Sequence, residues 1–240
     1  MLTSDLVIYL KKSLKSLWNK PRLKNIIPII RYYPAWRKHL KPDRNSVDDR
    51  KPWISFAAIA FLEKIVRYNM RVFEYGSGGS TLFWMSRVQE LISVEHDLSW
   101  YTDMKKKLDE QPAQNIQYIL AEPVTDPSFH QKRYQNPADF ISCDPAYTGK
   151  NFEKYAKAID SFPDNYFDII IVDGRARPSC IQQAMPKLNR NGWLIIDNTE
   201  RSYYIAPFTF ARNSWKISTF AGPVPYSREF SETSFVKKLV

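Results

Sequence analysis

The chain has 240 residues, of which 44% are hydrophobic and 15% aromatic, and its formal net charge is +10. This size and hydrophobic content are enough for a single domain with a full core. The two cysteines, Cys143 and Cys180, lie far apart without metal-ligand spacing, which excludes a disulfide framework and predicts a reducing compartment. The sequence shows neither an apolar run long enough to span a membrane nor a signal-like start, so we expect a cytoplasmic protein.

The excess positive charge is concentrated at the beginning of the chain. Residues 1–51 contain 13 Lys/Arg and 4 Asp/Glu, a balance of +9, whereas the remainder is close to neutral. We therefore predict a basic, partly helical N-terminal extension over 1–51 and a folded domain over 52–240. The extension begins with apolar residues at helical spacing, and Pro21 is predicted to end this helix: Leu6, Leu10, Leu14, Leu17 and Trp18.

Several roles are open for this extension. It could pack on the core, cover a ligand cleft or pair with a second subunit in a homo-oligomer. A basic amphipathic helix with a tryptophan at its edge could also lie on an anionic membrane surface as a peripheral contact. Nucleic acid is the least favoured partner, because no nucleic-acid-binding motif accompanies the charge.

A glycine-rich turn follows the first predicted strand. Val72 and Phe73 are typical of a buried strand, and Gly76 and Gly78 then allow a tight turn with close approach of a ligand to the backbone. A helix resumes at Thr81. A strand, a glycine turn and a helix in this order predict a nucleotide-type cofactor site at the carboxyl end of the strand.

The identity of the residues in the turn narrows the type of cofactor. The dinucleotide fingerprint requires a third glycine where Thr81 stands, and Glu74 would repel a pyrophosphate. An acidic residue at this place suits a cofactor that carries a cation. An NAD-dependent oxidoreductase is therefore the least favoured of the enzyme alternatives.

The later predicted strands also end at polar or acidic residues. Leu91–Val94 leads to Glu95, which lies 19 residues after Gly76, a spacing that suits hydrogen bonds to two ribose hydroxyls. Further strands are expected at 116–120, 167–172 and 193–196, and they lead to Glu122, Asp173 and Asp197. Helices are predicted between them, at about 80–88, 99–110, 151–160 and 178–188. Alternation of this kind predicts a parallel α/β sheet with carboxylates along one rim.

The segment Glu74-Tyr-Gly-Ser-Gly-Gly-Ser80 resembles the first motif of class I S-adenosylmethionine-dependent methyltransferases, with Ser80 in place of the usual third glycine. The resemblance extends from about Pro52 to the C-terminus and implies a Rossmann-like, doubly wound, seven-stranded and mostly parallel sheet. Residues 215–220 and 234–238 would be the sixth strand and the antiparallel seventh. It implies S-adenosylmethionine as the cofactor and the following binding residues: Glu74, Gly76, Ser77, Gly78, Glu95, His96, Glu122 and Asp173.

A long, proline-broken connection over 122–151 predicts a lid above the site. It contains Asp144-Pro-Ala-Tyr147, which superficially resembles the box of nucleobase N-methyltransferases but precedes the fourth strand, so we interpret it as a turn. The place of that box is taken by Asp173-Gly-Arg-Ala-Arg177, which argues against nucleobase methylation. We therefore expect O-methylation of a hydroxylated small molecule or glycan unit. Arg175 and Arg177 either hold an acidic group of this acceptor or form ordinary salt bridges.

The expected catalytic residues are Asp173, Asp197 and Asn198, which orient the cofactor and line the acceptor side. The same three residues are similar to the magnesium site of cation-dependent O-methyltransferases, although Ala176 replaces the lysine of that family. Magnesium is thus one alternative, and a rim that holds no metal is the other. A protein that binds the cofactor without catalysis, and acts as a scaffold through its basic N-terminus, remains the alternative to an enzyme.

Overall fold

The computed structural model describes residues 4–19, 26–112 and 115–240. Seven helices and nine strands follow one another in these ranges: α1 Ser4–Asn19, α2 Ile26–His39, α3 Phe56–Ile65, β1 Arg71–Tyr75, α4 Gly79–Met85, β2 Glu90–Glu95, α5 Leu98–Asp109, β3 Ile116–Leu120, β4 Val124–Thr125, β5 Lys150–Asn151, α6 Glu153–Ala156, β6 Phe167–Val172, α7 Arg177–Lys187, β7 Leu188–Ile196, β8 Trp215–Pro223 and β9 Phe230–Lys238. Short 3₁₀ turns occupy parts of the connections.

Seven of the strands form one sheet in the order β3-β2-β1-β6-β7-β9-β8. The pairs from β3 to β7 are parallel, whereas β9 is antiparallel to both β7 and β8. The chain moves outward from β1 in one direction through β2 and β3, and in the other through β6 and β7. The carboxyl ends of β1 and β6 therefore meet at a topological switch point, where ligands bind in open α/β sheets. This arrangement confirms the predicted seven-stranded sheet with its antiparallel last strand.

The predicted strands of the large sheet are all present, although β7, β8 and β9 are longer than expected, whereas the short strands β4 and β5 were not predicted and some of the helices differ. The helix expected at 151–160 is shorter, because α6 ends at Ala156 and the chain continues as a 3₁₀ turn to Ser161. Helices α2 and α3 were not predicted, since prolines interrupt the first. Pro28 lies in its first turn, where its missing N–H is tolerated, and Pro34 lies inside it. The predicted end of α1 at Pro21 lies outside the described residues.

The first two helices pack on the sheet. Tyr9, Ile29 and Trp36 belong to the same buried cluster as Ile169 and Phe235, which are residues of β6 and β9. The indole Nε1 of Trp36 donates a hydrogen bond to the carbonyl of Ser227 at 2.9 Å. The structure therefore shows that helices α1 and α2 of the predicted extension pack against the core. The division of the chain at residue 51 remains a prediction.

Two further observations limit the possible architectures. None of the described helices is long and apolar enough to cross a membrane. Cys180 is buried and Cys143 is exposed, and both are free thiols.

Candidate functional site

The glycine turn lies at the switch point and has a constrained backbone. Gly76 adopts a φ of +91°, and a Cβ added there would lie 3.0 Å from the backbone of Gly174. Gly79 is more tightly confined, because its Cβ would lie 2.0 Å from the carbonyl oxygen of Ser46. At Gly78, in contrast, no heavy atom lies within 4 Å of an added Cβ, and its φ of 172° is ordinary extended backbone. Among these three glycines of the turn, Gly78 is therefore the one beside which space is open.

Glu74 lies beneath this turn and is completely buried. Its Oε2 accepts hydrogen bonds from the hydroxyls of Thr81 and Ser93, each at 2.6 Å, while its Oε1 has no hydrogen-bond partner. Burial raises the pKa of this carboxyl to about 7, although the hydrogen bonds from hydroxyl groups act in the opposite direction. Since Thr81 also accepts from the N–H of Gly78 at 2.9 Å, Glu74 fixes the shape of the turn from below.

Glu95 ends β2 beside the turn. Its Oε2 accepts from the N–H and the hydroxyl of Ser77, at 3.0 and 2.9 Å, and its Oε1 accepts from the N–H groups of His96 and Asp97 at 2.7 and 3.0 Å. Burial raises the pKa of Glu95, but His96 and the backbone donors outweigh it, so the pKa lies below its ordinary value. The carboxylate is therefore ionised, and both of its oxygens already accept hydrogen bonds from the surrounding turn.

A cleft of about 320 Å³ opens above these residues. Three aromatic side chains from separate parts of the chain line it, and they are Trp53, Trp100 and Tyr147. Asp173, at the end of β6, also lines the cleft and keeps 26% of its side chain exposed. The other lining residues are Ser46, Gly76, Ser77, Gly78, Gly79, Ser80, Glu95, His96, Asp97, Gly174 and Arg175. Aromatic faces and carboxylates around a glycine turn suit a ligand with a flat ring and a positive charge.

Arg177 is buried between the ends of β6 and β7. Its Nη2 donates to Asp173 Oδ1 at 3.0 Å, and its Nη1 donates to the backbone carbonyl of Asp197 and lies 3.9 Å from that residue's Oδ2. Burial raises the pKa of both carboxyls, although the guanidinium opposes this effect. Asp197 Oδ1 also accepts from the hydroxyl of Thr233 at 2.7 Å.

This arrangement does not fit the magnesium alternative. A fixed guanidinium already lies between the two carboxylates that would have held the ion, and two cations would repel at this distance. The amide of Asn198 donates instead to Ser231 at 2.9 Å. Within the described ranges, no group of three or more His, Cys, Asp or Glu side chains is arranged to hold a metal ion.

A second pocket, of about 550 Å³, adjoins the cleft and shares Gly174 and Arg175 with it. The predicted lid forms one wall, from Tyr134 to Pro145, and the segment after β7 forms another, which includes Arg201. The remaining lining residues are Ile141, Ser142, Cys143, Asp144, Ala176, Arg177, Pro178, Tyr203 and Tyr204. Asp144 caps a 3₁₀ turn and pairs with Arg175 at 2.9 Å, which agrees with its interpretation as a turn.

The structure brings most of the predicted cofactor residues together. Gly76, Ser77, Gly78, Glu95, His96 and Asp173 all line the cleft. Glu74 lies beneath it, and Glu122 is exposed and outside its lining. Asp197 and Asn198, predicted to line the acceptor side, are not among the residues that line either pocket.

Several residues of the site could not be identified from the sequence. Trp53 precedes α3, and Trp100 lies in the first turn of α5, where its Nε1 donates to the carbonyl of Ser77 at 2.9 Å. The hydroxyl of Tyr118 lies 2.7 Å from that of Ser77. The position of Trp100, five residues after Glu95, was the one sequence feature that could have placed any of these residues at the site.

Neither a protein-family model nor a curated protein sequence matches this chain. Solved structures do match it. A protein designated a methyltransferase from Streptococcus mutans, in complex with S-adenosylhomocysteine, is 12% identical with a TM-score of 0.50, over 75% of this chain and 94% of that one. A protein designated an O-methyltransferase from Klebsiella pneumoniae is also 12% identical, with a TM-score of 0.51, over 89% and 90% of the two chains. A protein designated an rRNA methylase from Clostridium thermocellum matches at 12% identity and a TM-score of 0.49, over 75% of this chain and 93% of that one. The first two similarities show the fold.

Proposed function

We propose that this chain, which has the class I methyltransferase fold, is an S-adenosylmethionine-dependent methyltransferase that methylates a hydroxyl group. The observation that carries the proposal is the open space at Gly78 within an aromatic and acidic cleft, next to a second pocket. The cleft suits the cofactor and the second pocket suits the acceptor. Since they share Gly174 and Arg175, the acceptor can reach the methyl group without leaving the protein surface.

Within this proposal each residue of the cleft has a defined task. The aromatic rings hold the adenine, Glu95 accepts from the ribose, and Gly78 leaves room for the chain of the cofactor. S-adenosylmethionine supplies an activated methyl group, so the protein has to align the acceptor and accept its proton. Asp173 is suited to both, because burial raises its pKa while Arg177 keeps its carboxylate oriented.

The walls of the second pocket support an acceptor with an acidic group and a ring. Three arginines and one aspartate line it, together with Tyr134, Tyr203 and Tyr204. In the described part of the chain, Arg201 forms no ion pair with a carboxylate, and its Nη1 donates to the hydroxyl of Tyr204 at 3.1 Å. A uronic acid, a phosphorylated sugar or a phenolic acid would meet the guanidinium and stack on a tyrosine.

Three measurements test the proposal. Calorimetry should show binding of S-adenosylhomocysteine, and the labelled methyl group of the cofactor should appear on a sugar or phenol with an acidic group. Arg201→Gln should raise KM for such an acceptor at least about tenfold with kcat retained, whereas Arg212→Gln, at an exposed position outside the pocket, should not.

The possible failures of these tests have different meanings. Cofactor binding without transfer to any acceptor would favour a scaffold. Transfer to RNA or protein and to no small molecule would overturn the acceptor class while leaving the cofactor assignment intact.

A further inference from the structure

Helix α1 packs with one face and leaves an apolar stripe on the other. Tyr9 is buried and donates its hydroxyl to the carbonyl of Ile29 at 2.6 Å. On the outward face, four apolar side chains are 36%, 47%, 68% and 87% exposed, and they are Val7, Leu10, Leu14 and Trp18. At about 100° per residue these positions cover an arc of about 80°. A continuous stripe that ends in an almost fully exposed tryptophan marks an interaction surface.

The stripe has a basic border. Lys11 and Lys15 follow it around the helix, are exposed, and form no ion pair with any residue that the structure describes. The helix itself is held on the domain by ion pairs on its other side: Lys12 binds Glu229, and Asp5 accepts from Arg228 at 3.0 Å. The apolar stripe is therefore exposed on a helix that is already packed on the core.

Helix α2 repeats this arrangement. Ile29 and Trp36 face the core, whereas Ile27 and Ile30 are 67% and 73% exposed. Arg31, Arg37 and Lys38 are exposed on the same helix, which contains no acidic residue, and none of the three forms an ion pair within the described ranges. The two helices contact each other through the rings of Tyr9 and Tyr33, whose centroids are 4.9 Å apart.

We propose that the outward faces of α1 and α2 bind the surface of an anionic lipid bilayer, with both helices in the plane of the interface. The leucine, isoleucine and tryptophan side chains enter the boundary between headgroups and acyl chains, while the five unpaired cations meet lipid phosphates and carboxylates. The contact is peripheral, because no described helix can cross a membrane.

A basic apolar surface could also bind a second copy of the chain or a nucleic acid, and the arrangement of charged and apolar side chains favours the bilayer over both. In a two-fold dimer through these helix faces, the five cations of each copy would be brought into one interface, and like charges across an interface cost binding energy. A nucleic acid would satisfy the cations but would leave the exposed leucines and isoleucines in water. An anionic bilayer satisfies both parts of the surface.

Vesicle flotation of the full chain tests this proposal and does not depend on methyl transfer. We expect binding to phosphatidylserine-containing vesicles to exceed binding to pure phosphatidylcholine vesicles at least about tenfold, and to weaken with salt. The double variants Leu14→Ser/Trp18→Ser and Lys11→Glu/Lys15→Glu should each lower the partition coefficient about tenfold or more. Their matched controls, Tyr68→Ser and Lys216→Glu, change exposed residues elsewhere and should bind as the wild type does.

Thermal melting of every variant shows that the fold is retained, since the altered side chains are exposed. Wild-type binding that is equal on both vesicle types, or absent from both, overturns the proposal. So does a dimer in light scattering that Leu14→Ser/Trp18→Ser converts to a monomer, because the surface would then belong to a second copy. Retention on RNA that the Leu14→Ser/Trp18→Ser variant keeps unchanged, without vesicle binding, assigns the charge to a nucleic acid instead.

Discussion

The substitution Gly78→Val separates ligand binding from folding at the candidate cofactor site. In the structure, a Cβ at this position meets no heavy atom within 4 Å, and the extended backbone suits a β-branched residue. The cost in folding free energy should therefore stay within about 1 kcal/mol, which is the order of a lost N-cap preference. The added branch instead projects into the cleft of about 320 Å³ and occupies space that the cofactor needs.

We expect the affinity for S-adenosylhomocysteine to fall at least about a hundredfold, or about 2.7 kcal/mol. Calorimetry measures the affinity, and urea denaturation of the same protein measures the stability. Gly79→Val is the contrasting variant, because its Cβ would lie 2.0 Å from the carbonyl oxygen of Ser46 and the fold itself should suffer. Unchanged affinity in a stable Gly78→Val protein would refute the assignment of the cleft.

Four further outcomes follow from the same geometry. Asp173→Asn keeps the shape but removes the charge, so turnover should fall at least about a hundredfold while cofactor affinity changes less than about tenfold; equal losses in both would refute an orienting role in the transfer step. EDTA should leave the activity unchanged, because Arg177 occupies the space between the carboxylates; loss of activity that magnesium restores would contradict this. The pKa of Glu74 is raised to about 7 in the folded state from 4.5, so its stabilising contribution is complete below pH 4.5 and is lost as the pH rises through 7. Urea denaturation should show that the wild type loses about 3 kcal/mol more of its free energy of unfolding between pH 5 and pH 8 than Glu74→Gln does. The control variant Glu63→Gln changes an exposed carboxyl and should show the same pH dependence as the wild type. Trp36→Ala should lower the free energy of unfolding by about 3–5 kcal/mol, because a fully buried indole is removed; a loss below about 1 kcal/mol would show that α2 does not belong to the core.

The sheet was predictable because its strands are short apolar runs with turn or acidic residues at their ends. β6 contains Phe167, then Asp168, then four consecutive apolar β-branched residues, and it is buried on both faces. The glycine turn was predictable for a related reason, since Gly76 needs a positive φ that other residues rarely adopt. Local sequence therefore determines this part of the site.

The rest of the site depends on contacts between distant segments. Trp53 and Trp100 reach the cleft from a loop and a helix, and neither lies in a pattern that sequence spacing can connect with Gly78. The helix α2 was missed because Pro28 and Pro34 argue against a helix locally, whereas burial of Ile29 and Trp36 favours it in the folded protein. Local helix propensity therefore fails to predict α2, because tertiary packing stabilises this helix.

Arg177 neutralises the two carboxylates that lie at the ends of neighbouring strands. Without a cation, Asp173 and Asp197 would repel each other in a buried setting, and a metal ion and a guanidinium are two ways to prevent this. The chain uses the guanidinium, whose donors also reach the backbone carbonyls of Gly174, Asp173 and Asp197 and so fix the segment that separates the cleft from the second pocket. Arg177 itself lines the second pocket, with its guanidinium over the ring of Tyr204 at 5.1 Å. Arg177 therefore both neutralises the two strand ends and forms part of the wall of the second pocket, where we propose that the acceptor binds.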